Sequence, residues 1–284
     1  MISYRHHIVS LVAVFLALAV GVVLGGGPLN DLERDDRAAL AKTPTATRAE
    51  RTADFGDQFA AASAARLYAG GLADKRVAVV TMPGAEADTT AALVSQVEAA
   101  GGAVSGTFTA SKVLTDASQK SLVDTLGSQL VAQLDGVVDT DAPTYQRLGQ
   151  LLAFAAVGDG ADVTAVRESL AGAELVKTAQ DATAGQLVLV VLGDHTDPAI
   201  LAGLTTGLAA KATGVVVAGD TRAGSRGGDL TALRAEPDTA AVGTIDGADT
   251  TLGQVTTVLA LIRSLTNPGG AFGASGSAGA VPLT

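Results

Sequence analysis

Gln186–Leu192 reads QLVLVVL, and this apolar run decides the fold. It is too short for a buried helix. Its unbroken rather than alternating pattern marks a strand covered on both faces, as in a parallel sheet. Working outward, Val77-Ala78-Val79-Val80, between Arg76 and the turn Pro83-Gly84, and Gly214–Ala218 (GVVVA) repeat the signal. Ala103–Phe108 and Ala240–Ile245 read as further strands. Helical periodicity fills the intervals. Ala87–Ala100 ends at Gly101-Gly102, as a helix stop requires. In the middle segment, Asp116–Gly172, Leu122, Leu126, Leu130 and Leu134 share a face, and Asp141 opens the helix carrying Leu148, Leu151 and Leu152. Helices also span Pro198–Ala212 and Asp249–Arg263. The β-α-β alternation predicts an α/β body: an open, mainly parallel sheet of about five strands flanked by helices.

The amino terminus has a different logic. Ile8–Gly27 (IVSLVAVFLALAVGVVLGGG) carries no charge, and as a helix it reaches roughly 30 Å, the thickness of a bilayer's hydrocarbon core. A cleaved signal peptide is the competing reading, but the apolar core is long for that class. Arg5, His6 and His7 abut the run, and the long segment after it translocates largely regardless of charge. The expectation is therefore a single transmembrane helix over 8–27, with residues 1–7 in the cytoplasm and the body extracytoplasmic. Within the span Ala13, Ala17, Gly21 and Gly25 line one face, on which a second helix can approach closely. Association into a homo-oligomer or hetero-complex through this helix and the stalk is expected from it.

Residues 28–72 read as a charged, alanine-rich helical stalk, with Pro44 splitting it into two helices. Phe55, Phe59, Ala62 and Leu67 form a weak apolar stripe, too short for a sustained coiled-coil repeat and expected to dock on its own domain. The α/β domain then occupies 73–266. The tail, 267–284, is Gly, Ala and Ser and is expected to stay disordered.

Composition excludes several functions. The 284 residues carry a formal net charge of −10, with no basic stripe for phosphates, so nucleic acid is not a partner. Cysteine is absent, which removes disulfides and thiolate metal sites. Aromatics are 3% of the chain against 48% apolar residues overall, so Val, Leu and Ala must build the core.

Ligand sites of open α/β sheets lie at the carboxyl ends of the strands. Three loops qualify here: Met82–Glu86, Gly193–Asp197 and Gly219–Gly228. In the last, Arg222, Gly224, Ser225, Arg226, Gly227 and Gly228 offer an anion-binding turn, although it matches neither a P-loop nor G-x-G-x-x-G. Asp194, His195, Asp197 and Asp220 are weak metal-ligand candidates, one nitrogen and three carboxylates suited to a borderline or hard ion. An aspartate ahead of a helix more often caps it, and Asp197 precedes Pro198 as a cap does. No catalytic motif is present, and no enzyme activity or bound cofactor is expected.

The opening MISYRHHIVSLVAVFLALAVGVVLGGG resembles the amino terminus of the actinobacterial MctB family of copper transport envelope proteins. KRVAVVTMPGA, LVLVVLGD, GVVVAGD and AVGTIDGADTTLGQVTTVLAL are similar in order and placement. The resemblance implies a membrane-anchored cell-envelope protein of copper efflux or homeostasis, with copper as the transported ion and an oligomeric pore as the route. It equally implies the alternative seen in related members, a single-pass scaffold with a cytoplasmic or envelope partner controlling peptidoglycan hydrolysis and cell separation. It supplies no ligand motif. The residues themselves are poor in soft donors, since Met82 is the one methionine beyond the initiator.

Overall fold

The computed structural model describes residues 28–132 and 138–283. The expected span Ile8–Gly27, with its face of Ala13, Ala17, Gly21 and Gly25, lies outside the described residues. Among those described, no helix is long and apolar enough to cross a membrane. The chain divides into two compact units, Met1–Gly56 and Asp57–Thr284, and the second contains the sheet.

Among the described residues seven strands form one sheet: β1 (Arg76–Thr81), β2 (Ala103–Ala110), β3 (Val176–Thr178), β4 (Leu187–Val191), β5 (Gly214–Gly219), β6 (Val242–Asp246) and β7 (Gly270–Phe272). Their spatial order is β3-β2-β1-β4-β5-β6-β7. Every pairing is parallel except β2 with β3. The sheet is thus larger than the five strands expected, and mixed. The two additions are three-residue edge strands, too short to carry a hydrophobic period of their own.

The helices are α1 (Pro28–Tyr68), α2 (Ala87–Ala99), α3 (Lys112–Thr115), α4 (Lys120–Val131), α5 (Thr144–Val157), α6 (Ala161–Gly172), α7 (Pro198–Ala209), α8 (Asp229–Leu233) and α9 (Thr251–Ser264). They cover both faces, which explains the continuous apolar runs. Val188 and Val190 of β4 enter the core beneath α4–α8, while Leu187, Leu189 and Val191 enter the opposite core with α2, α9 and the end of α1. Val215 and Val217 against Val216 and Ala218 divide β5 in the same way. Between α5 and α7 the backbones nearly touch, because a Cβ at Gly149 would fall on Leu204 O and one at Gly207 on Gln146 O.

Three expectations are corrected. Helix α1 runs through Pro44 as one helix. The stripe Phe55, Phe59, Ala62 and Leu67 does not dock: Phe55 and Phe59 are 70% and 63% exposed. Ala60, Ala64 and Tyr68, one position over, are buried instead, and the Tyr68 hydroxyl donates to Gln96 Oε1 at 2.7 Å. Burial raises the Tyr68 pKa well above its ordinary value.

The third correction is the tail. Gly270–Phe272 pairs with β6, Phe272 is buried, and Ala278 N–H returns to Ala271 O at 2.8 Å. What holds it is invisible to composition. Buried Asp246 bonds Arg234 Nη2 at 3.0 Å, and its other oxygen accepts from Ser275 N–H at 3.1 Å. Arg234 also donates to Thr244 Oγ1, Phe272 O and Ser275 Oγ. This network fastens α8, β6 and the tail together.

Asp246→Ala would leave the Arg234 charge largely buried and unpaired. The expected loss is about 3–5 kcal/mol in urea denaturation followed by circular dichroism. Leu122→Ala, at an exposed site, should stay within about 0.5 kcal/mol.

Candidate functional site

The chain diverges at β1 and β4. From β1 it proceeds to β2 and β3 on one side, and from β4 to β5, β6 and β7 on the other. The carboxyl ends at such a switch point usually leave a crevice. Here the two loops close on each other. Asp194 N–H donates to Pro83 O at 2.6 Å, and Met82 N–H to Val191 O at 2.9 Å. A Cβ on Gly193 would collide with the backbone of Pro83, Gly84 and Ala85. The opening lies beside this seam, as a cleft of about 880 Å³ lined from the loops after β1, β4, β5 and β6.

Of the metal candidates, Asp194, His195 and Asp220 line the cleft and Asp197 does not. Each carboxylate has other work. Asp194 faces Lys112 Nζ at 3.5 Å. Asp197 caps α7, its Oδ1 accepting from Ala199 N–H and Ile200 N–H. Asp220 accepts from Arg222 Nε at 2.7 Å and from Ala223 N–H at 2.8 Å. Among the described residues no group of three or more His, Cys, Asp or Glu side chains is placed to hold a metal ion.

The glycine-rich loop is shaped by its own bonds. Arg222, Ser225, Arg226, Gly227 and Gly228 line the cleft, whereas Gly224 turns inward, where a Cβ would meet Ser275 Oγ at 2.5 Å and Asp246 Cβ at 2.7 Å. Ser225 donates its hydroxyl to Arg222 O at 2.6 Å. The Arg222 guanidinium is paired through Nε with Asp220, a hydrogen bond that raises its pKa, with the charges of Asp220, Glu86 and Asp249 adding to the effect. Asp249 in turn accepts from Thr221 N–H at 2.8 Å and Thr221 Oγ1 at 2.9 Å.

The feature the sequence did not disclose is Asp229. It begins α8, its side chain is 9% exposed, and its Oδ1 lies 2.5 Å from His195 Nδ1. Its Oδ2 accepts from Thr196 N–H at 3.1 Å. His195 and Asp229 are 34 positions apart, and only the adjacency of β4 and β5 brings their loops together. An aspartate after two glycines at a helix start was the one local signal available.

Replacing Gly193 by alanine would force the β1 and β4 loops apart. The expected destabilisation is about 1–3 kcal/mol by chemical denaturation, and an unchanged midpoint would mean the seam is not formed.

Comparison with known proteins gives a consistent result. Residues 1–283 match the family described as "Copper transport outer membrane protein, MctB". The chain is similar to the copper transporter MctB of Mycobacterium tuberculosis (strain ATCC 25618 / H37Rv) and that of Mycobacterium bovis (strain ATCC BAA-935 / AF2122/97). In each comparison identity is 31% over 293 residues, covering 92% of this chain and 92% of the relative.

Proposed function

The chain belongs to the MctB family of copper transport proteins, and on that premise we propose that it serves copper homeostasis as a membrane-anchored protein of the cell envelope. The observation that carries this reading is the match over residues 1–283, which takes in the apolar amino terminus and the α/β body together. Ile8–Gly27 is the anchor, the amino terminus is cytoplasmic, and the body stands outside.

We read the body as acting by binding. Soft copper ligands are scarce: cysteine is absent and Met82 is 3% exposed. A copper route therefore has to be assembled. The described strands form one open sheet covered by helices on both faces and enclose no pore. Copies associating through Ala13, Ala17, Gly21 and Gly25 would have to build it.

The second reading is a scaffold for partners that control peptidoglycan hydrolysis and cell separation. The exposed Phe55 and Phe59 on α1 favour it, since large apolar side chains left in water suit protein contact.

Deleting the gene separates the two. Under copper efflux, intracellular copper measured by mass spectrometry rises in copper-supplemented medium and cell division is normal. Unchanged copper with chained, unseparated cells would transfer the function to the scaffold. Protease added to intact spheroplasts should digest the body, and a protected body would remove the extracytoplasmic placement.

A further inference from the structure

Asp229 and His195 form a pair that fold stability does not account for. The carboxylate is 9% exposed and its imidazole partner 74%. Burying a carboxylate is costly, and a hydrogen-bond partner that stands in solvent returns little of that cost. The arrangement secures orientation: His195 Nδ1 bonds Asp229 Oδ1, and Thr196 N–H donates to Oδ2. In the tautomer that carries its hydrogen on Nδ1, that atom is the donor to Asp229 and Nε2 is an acceptor on a ring lining the cleft.

A metal ion would use the same nitrogen with the same carboxylate behind it. It would also need further protein ligands, and among the described residues no group of three or more His, Cys, Asp or Glu side chains is placed to supply them. The group that meets Nε2 must instead bring a hydrogen. Its charge follows from the surroundings. With Arg222 bonded to Asp220 and Lys112 facing Asp194, the lining keeps Glu86 and Asp249, besides the buried Asp229, against Arg226. Glu86 and Asp249 already act to stabilise positive charge at Arg222. The cleft, at about 880 Å³, holds far more than an ion and is open to a chain segment.

We propose that this cleft binds a cationic nitrogen group, the ammonium or guanidinium of a basic segment of a partner protein, with its N–H donated to His195 Nε2. His195 is the contacting residue, and Asp229 is the positioning residue that fixes its ring. The proposal goes beyond the copper assignment and stands whether or not copper is the cargo.

The test uses the full chain purified in detergent and titrated calorimetrically with tri-lysine, with tri-lysine acetylated on its side chains, with lysine amide, and with Cu(II) chloride alone. Tri-lysine should saturate one site and the acetylated peptide should not bind. His195→Ala should weaken tri-lysine about tenfold, the loss of one charge-assisted hydrogen bond, with the fold retained by circular dichroism. Asp229→Asn should weaken it comparably; if that variant does not fold, the exposed His195→Ala decides alone. Glu168→Lys, on the exposed surface of α6, controls for general attraction to an acidic protein and should alter affinity by less than about twofold. Wild-type affinity in His195→Ala, or equal binding of the acetylated peptide, would overturn the proposal. Equal affinity for lysine amide would overturn the partner segment in favour of a free amine. One equivalent of Cu(II) bound by the wild type and lost in His195→Ala would make His195 a metal ligand instead. Failure of any of these arms is distinct from failure of the copper reading, which the deletion strain measures.

Discussion

Strands β1, β4 and β5 are apolar on both faces because each must fill two cores at once. Val77 and Val79 look toward α2 and α9, while Ala78 and Val80 look toward the layer of α5 to α7, and β4 and β5 repeat the division. A strand with one polar face could not occupy the middle of such a sheet, because it would bury unsatisfied groups under a helix. The constraint reaches into the helices. With aromatics scarce, the layers close by small residues meeting backbone to backbone, as Gly149 and Gly207 do.

The same parallel arrangement sets the chemistry at one edge. Parallel strands joined by helices deliver four loops to their carboxyl ends, and the loops meet there regardless of their spacing in sequence. The seam between the β1 and β4 loops closes the usual crevice and moves the opening toward β5 and β6. Arg222, which looks in the sequence like an anion hook, is held by Asp220 and surrounded by further acids. His195, one of several weak metal candidates, acquires a defined orientation from Asp229. Charge near this cleft follows from pairing, and residue types alone do not give it.

Membership in a copper transport family sits beside a body with few copper ligands. No cysteine is present, the internal methionine is buried, and the one histidine of the cleft is committed at Nδ1. Under the proposed copper role, moving a soft ion without soft donors in the body would require assembly or partners. Either course places the weight on surfaces rather than on a coordination sphere. The exposed aromatics of α1 and the cleft over β4 to β6 are the surfaces in view.

The sequence by itself determined the α/β class, the four long parallel strands of the sheet centre with most of the β2 strand, and the main helices. Each of these carries a local hydrophobic period that needs no partner to be read. Asp197 as the cap of α7 was legible for the same reason, since a cap and the groups it satisfies lie within one helical turn. Tertiary structure decided the rest. The edge strands β3 and β7 are too short for a period and exist because a neighbour supplies their hydrogen bonds. The tail is ordered by Arg234, Asp246 and Ser275, which are unremarkable separately and costly to separate once buried. The His195–Asp229 pair joins loops that only strand adjacency brings together, and no pattern along the chain encodes a contact of that kind.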